Sequence, residues 1–179
     1  TTPSTAIPKA GSAVSDEKER RRLALFDPKT RAKAIFLDPR LLQTAPASLV
    51  TTAALNTLSM AAEGLATGQA DPVATAMLSS ALRTCVLRLG EADARDCEAT
   101  RLHLAWAAIM CGLGTDSAGG GLTSALGHAA GVVAGTVNGL VNAIVLPEAL
   151  RFNRPALASA IPEIAHALDV AGGDAEEEF

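Results

Sequence analysis

The 179 residues are enough for one domain with a sound core, and the net charge of −4 provides no electrostatic footprint for nucleic acid. Apolar residues make up 49% and aromatics only 3%, with no tyrosine, which favours packed helices built from small side chains over a β-sandwich. Cys85, Cys97 and Cys111 are odd in number and lack CxxC spacing, which argues against a disulfide frame or a zinc site; with no signal peptide, a reducing cytoplasm is expected.

In chain order, residues 1–16 are rich in Thr, Ser, Pro, Ala and Gly and read as loop. The basic run from Lys18 to Arg22 is flanked by Asp16, Glu17 and Glu19, and reads as solvated surface. The apolar run Ala34, Ile35, Phe36 and Leu37 ends at Asp38-Pro39, which predicts one short strand followed by a turn. From Ala47 the pattern is helical. Ser48 is expected to cap a helix reaching about Ala66, and Asp71-Pro72 starts the next by the cap-then-proline rule, carrying it to about Leu89.

A third helix is predicted from about Asp93 to Leu113, with Leu102, Ala105, Trp106, Ile109 and Leu113 on one face and Gly112 and Gly114 ending it. Residues 118–121 form a loop. Helices then cover 122–133 and 138–150, with Pro147 in a kink of the second. A last helix runs from about Pro155 to Val170, with Leu157, Ile161, Ile164, Ala165 and Leu168 facing inward. The predicted organisation is an extended segment over 1–45, an all-helical domain over 46–171 and a disordered acidic tail over 172–179.

Residues 117–147 carry no Asp, Glu, Lys or Arg, and Gly127, Gly131, Gly135 and Gly139 recur every four residues like a membrane packing face. Thr123, Ser124, His128, Thr136, Asn138 and Asn142 would each be penalised in lipid, and no aromatic belt or Lys/Arg bias flanks the stretch. A central helix pair in an all-α core is the better reading.

Several short motifs occur in one order. Thr1-Thr2-Pro-Ser-Thr5 is followed by Gly11-Ser12-Ala-Val14, then by the paired Asp27-Pro28 and Asp38-Pro39. Further on come Asn56 and Met60 with Glu63, then Ser124 with His128, and Asn138 before Leu146-Pro147 and Asn153. Together they make residues 1–170 resemble the iron-containing alcohol dehydrogenases, most nearly their maleylacetate reductase branch. The resemblance implies a mainly α fold, the helical domain of the dehydroquinate synthase-like architecture, preceded by an extended segment with a short strand. It also implies an oxidoreductase using NAD(P), with Thr1, Thr2 and Thr5 along the cofactor. The nucleotide-binding half of the family precedes such a stretch, and no GxGxxG loop follows a strand here. NAD(P) is therefore expected only with a partner, either a separate nucleotide-binding chain or a fragment of the same precursor, in a hetero- or homo-oligomer.

In the family an acidic residue and three histidines hold Fe²⁺ or Zn²⁺. The matching positions here are Asn56, Met60, Ser124 and Asn138, with the family's spacing but not its ligands. An amide, a thioether and a hydroxyl bind a divalent cation poorly, so no metal is expected. Asn56, Met60 and Asn138 would instead wall a polar substrate pocket for a small ketone or enone acid, or simply fill the space by packing. His128, one helical turn after Ser124, matches a family histidine near the nicotinamide; it reads either as proton donor or as a core histidine bonded to a carbonyl. Ser124 is the second catalytic candidate. Glu63 reads as a structural cap or salt bridge, while His103 and His166 read as structural or exposed.

A chain that begins with Thr1 also raises an N-terminal nucleophile, made by self-processing, whose α-amine serves as its base. On that alternative the same metal-free pocket carries out hydrolase or lyase chemistry. A third reading is a non-catalytic scaffold subunit.

Overall fold

A computed structural model describes residues 4–16, 18–19, 21–90, 97–157 and 160–169. Thr1 and Thr2, the expected start of the third helix at Asp93 and the acidic tail lie outside the described residues.

The N-terminal arm opens with a turn over residues 5–8 and then a hairpin, β1 (Gly11–Asp16) antiparallel to β2 (Arg21–Phe26), in register from Gly11 opposite Phe26 to Asp16 opposite Arg21. Both local expectations for this arm are corrected. Part of the expected loop is a strand, and residues 34–37 have no regular secondary structure, leaving Phe36 93% exposed. The hairpin is set by its turn rather than by β-propensity. Asp16 Oδ1 accepts from the backbone N–H groups of Lys18 and Glu19, both at 3.1 Å, so the charged run folds back on an Asp-centred turn. Residues 34–37 are apolar but have no strand beside them among the described residues.

The two Asp-Pro pairs are caps. Asp27 accepts from Lys29 N at the start of a 3-10 turn (Pro28–Thr30), and Asp38 accepts from Arg40 N at the start of the one-turn helix α1 (Pro39–Leu42). In each, proline occupies a first-turn position where its missing N–H costs nothing.

The helical body follows: α2 (Ala47–Ala66), α3 (Pro72–Gly90), α4 (Glu98–Ala118), α5 (Leu122–Ala134), α6 (Asn138–Asn153) and α7 (Ile161–Leu168). Helix α2 is central and touches α3, α4, α5, α6 and α7. Its N-cap is Pro46, with no side-chain cap from Ser48. At α3 the expected cap is present: Asp71 Oδ1 accepts from Val73 N and Ala74 N, both at 2.9 Å, while Oδ2 takes the Ser117 hydroxyl at 2.9 Å and ties α3 to the end of α4.

Helix α4 does not end at Gly112 and Gly114. A Cβ at Gly112 would stand 2.3 Å from the Thr5 carbonyl oxygen, and one at Gly114 would stand 2.7 Å from Leu78 Cγ. These glycines permit close approach inside a continuous helix, and the break comes at Gly119, with φ of 78°. The inward face of α4 is also rotated from expectation. Ala105 and Ile109 are buried, but Trp106 is 52% exposed, and Leu104, Ala108 and Cys111 take the inner positions. The single helix expected over 155–170 is two pieces, a 3-10 turn (Arg154–Ala156) and α7, because Pro162 lacks an N–H and starts a helix rather than continuing one. Helix α6 runs through Pro147 to Asn153.

The core is a small-residue core. Leu78, Leu82, Leu104, Val50, Cys85 and Cys111 are its largest fully buried apolar side chains, with alanines between them. Two of the buried hydroxyls are satisfied within α2, Thr57 donating to Ala53 O and Ser59 to Leu55 O. Burial pushes the thiol of Cys111 up to about 12, and that of Cys85 up in the same way. No helix among the described residues is long and apolar enough to cross a membrane. The glycines of the uncharged stretch serve α5 and α6 instead. A Cβ at Gly127 would lie 1.9 Å from Asn142 Oδ1, and one at Gly131 would lie 2.6 Å from Asn138 Oδ1. Asn138 and Asn142 of α6 therefore each lie in a gap left by a glycine of α5.

Candidate active site

An open cavity of about 780 Å³ lies between the N-terminal arm, the first half of α2, the inner side of α5 and the start of α6. The arm contributes Thr5 and Lys9 and the end of β2; α2 contributes Asn56 and Met60; α5 contributes Ser124 and His128; α6 contributes Asn138 and Asn142. Asn56, Met60, Ser124, His128 and Asn138 thus come together in one place from three helices, and Thr5 joins them from the arm. His103 and His166 are exposed and line no part of this cavity.

Helical spacing explains the wall. Asn56 and Met60 are one turn apart on α2, Ser124 and His128 one turn apart on α5, and Asn138 and Asn142 one turn apart on α6, so each helix presents two side chains to the same side. The Met60 thioether accepts from Asn56 Nδ2 at 3.3 Å and from the Thr5 hydroxyl at 3.4 Å. Asn142 Nδ2 donates to Asn56 Oδ1 at 3.0 Å, and Asn138 Nδ2 stands 3.4 Å from His128 Nδ1. With that amide donating, Nδ1 accepts and the ring proton sits on Nε2. His128 is exposed to the cavity and its solvent, not closed in the core.

Glu63 is buried at 5% exposure and organises the start of α5. Its carboxylate accepts from Gly121 N at 3.3 Å, Ser124 N at 3.0 Å, the Ser124 hydroxyl at 2.7 Å and also from Thr123 N. A carboxylate at a helix N-terminus satisfies N–H groups that have no partner within the helix and meets the positive end of its dipole. This is the capping role expected of Glu63. It also fixes Ser124, whose hydroxyl hydrogen is given to Glu63 rather than to the cavity.

The residues do not fit a catalytic divalent metal. At the four positions matching the family's ligands, Met60 already accepts two hydrogen bonds, Asn56 Oδ1 accepts from Asn142, and Ser124 is turned to Glu63. The carboxylate of Glu63 is occupied by the α5 cap, leaving one imidazole as the strong donor for iron or zinc among the described residues of the cavity. Among the described residues no group of three His, Cys, Asp or Glu side chains is placed to hold an ion. A dinucleotide fits only partly. Thr5 is buried with its hydroxyl spent on Met60, Ser4 and Ala6 line the cavity, and the single described sheet is a hairpin without a phosphate-binding loop.

Sequence reasoning missed two residues of this site. Asn142 had a signal, because Asn138 and Asn142 repeat the four-residue spacing of Gly127 and Gly131. Lys9 had a fainter one, as the single charged residue among positions 1–15.

The sequence pattern described as Fe-containing alcohol dehydrogenase family, C-terminal, matches residues 50–179. Maleylacetate reductase 1 of Cupriavidus pinatubonensis is 36% identical over 150 residues, which is 80% of this chain and 42% of that protein. The iron-containing alcohol dehydrogenase of Thermococcus thioreducens superposes with a TM-score of 0.85 at 26% identity, covering 97% of this chain and 46% of that one. Maleylacetate reductase from a Rhizobium species superposes with a TM-score of 0.81 at 20% identity, covering 100% of this chain and 51% of that one, a likeness of fold. The chain therefore spans less than half the length of the curated relative and about half that of the solved structures.

Proposed function

This chain belongs to the Fe-containing alcohol dehydrogenase family, and from that premise we propose that it is the helical, substrate-side part of a metal-independent reductase. It would reduce a small ketone or enone acid with NAD(P)H, together with a nucleotide-binding chain or fragment of the same precursor. The observation that carries this reading is the pairing of Asn138 with His128 beside an amide and thioether cluster where the family would place its metal.

Bound NAD(P)H would supply the hydride, resting mainly on the partner, with Ser4, Thr5 and Ala6 at the near edge of the groove. The rest falls to this chain's own side chains. His128, held through Nδ1 by Asn138, presents Nε2–H to a substrate carbonyl oxygen, stabilises the negative charge that develops there, and takes a proton back from solvent in the open cavity as its own passes to the product oxygen. With no Lewis acid in the donor set, that hydrogen bond and the neighbouring amides carry the stabilisation, each well-placed donor contributing about 10²–10³ in rate. Glu63 acts indirectly, by fixing the first turn of α5 and so the height of His128 one turn along. Cys85, Cys97 and Cys111 are unbonded thiols, one of them exposed, in keeping with work in the reducing cytoplasm.

The test uses the assembly that co-purifies with this chain. NADH should bind it, read by fluorescence, and His128→Asn should lower kcat by about 10²–10⁴ with the melting temperature unchanged. A complete assembly that does not bind NADH removes the redox reading. Full activity in the His128 variant removes the proton donor and leaves the chain a scaffold.

A further inference from the structure

Of the twenty described residues that line the cavity, nineteen are uncharged side chains or His128, and one is a lysine. Lys9 is half-buried where the arm leaves its first turn, and its ammonium makes no hydrogen bond or ion pair among the described residues. Asp116, the carboxylate that acts on it electrostatically, is already paired with Arg31. The other group that acts on it is the thiol of Cys111, which burial keeps protonated. Desolvation holds the Lys9 ammonium below its ordinary pKa, and the Asp116 carboxylate, engaged by Arg31, opposes it only in part.

A half-buried ammonium without a counter-ion carries a standing desolvation cost, and an anion entering the cavity would relieve it. From the placement of Lys9 as the one charged side chain apart from His128 among the described residues that line the cavity holding His128 and Asn138, we propose that Lys9 is the specificity-determining residue that selects a carboxylate-bearing substrate. This rests on the cavity being the substrate site, as proposed above. Lys9 binds the substrate's carboxylate while its carbonyl faces His128, so the molecule is held at two points and oriented. As a point charge on a flexible stem, Lys9 tolerates carboxylates at varied reach, unlike a bidentate arginine. A two-point hold of this kind suits an oxo acid.

The experiment compares maleate with its uncharged diamide by calorimetric titration of the co-purified assembly, without NADH. Maleate should bind about tenfold tighter than maleamide, or better. Lys9→Met should abolish that preference, and Lys9→Arg should keep part of it. Because Lys9→Met removes a half-buried charge, its melting temperature should not fall, so lost preference is not lost folding. Equal binding of the two ligands by the parent chain, or an undiminished preference in Lys9→Met, overturns the proposal. So does a variant of the co-purified assembly in which NADH affinity falls while the maleate preference stays, since that places Lys9 under the cofactor. The readout needs no hydride transfer, and a failure of the reductase reading would leave it intact.

Discussion

The α3–α4 contact and the α5–α6 contact are built on opposite principles. Leu78, Leu82 and Cys85 on α3 meet Leu104 and Cys111 on α4 in a fully buried apolar layer, and Gly114 lets Leu78 lie flat on the helix. Between α5 and α6 the fit is polar: Asn142 lies over Gly127 and Asn138 over Gly131, and the same two amides reach Asn56 and His128. The first contact stores burial energy and tolerates changes that keep its volume. The second stores little, but it sets where hydrogen-bonding groups stand. Apolar burial and the placing of polar groups fall to different helix pairs.

Substitutions on the two sides should break this contrast in different ways. Leu78→Ala should have the largest effect on stability, about 2–5 kcal/mol by urea denaturation, because it empties a site with no exposure. It should leave the maleate preference of the folded protein in place. Gly127→Ala should cost less, about 1–3 kcal/mol, since the new methyl displaces the Asn142 amide. Its effect on the site should be larger, with Asn142 moved off Asn56 and maleate affinity reduced, as calorimetry would show. If Leu78→Ala damages binding and Gly127→Ala does not, the division of labour is wrong.

Asp71→Ala should have the smallest effect, and one that depends on pH. The hydrogen bonds from Ala74 N and the Ser117 hydroxyl hold the Asp71 carboxyl below its ordinary value. A depressed folded pKa means that the stabilisation is present above the unfolded pKa and lost as pH falls through the folded one. The gap in urea midpoint between parent and Asp71→Ala should therefore be constant near neutrality and shrink once pH drops below the ordinary carboxylate range. A gap that widens in acid would contradict the cap.

What could be read in the sequence was what depends on near neighbours. The bounds of α2 and α3 follow from an Ala/Leu-rich run and from Asp71 before Pro72, and the caps at Asp27 and Asp38 from the residues that follow them. The convergence of Asn56, Met60, Ser124, His128 and Asn138 was legible through the family's spacing, since three helices each show two residues one turn apart. What escaped depends on contacts distant in sequence. Gly112 signals a helix end until Thr5 is seen to lie against it, and residues 34–37 signal a strand until no neighbouring strand is found. The charge on Lys9 looks incidental until the nineteen other lining residues are known.

Helix α4 contributes no residue to the cavity, yet the arm that forms one of its walls is moored to it along its whole length. Arg101 near its start is buried and donates to the carbonyls of Leu42 and Ala45, both at 2.7 Å. Gly112 seats the Thr5 turn at its middle, and Asp116 near its end grips Arg31, which in turn reaches the Pro8 carbonyl. The rim of the pocket is thus governed from behind, and drift at these three anchor points could retune what enters without altering any group that touches it.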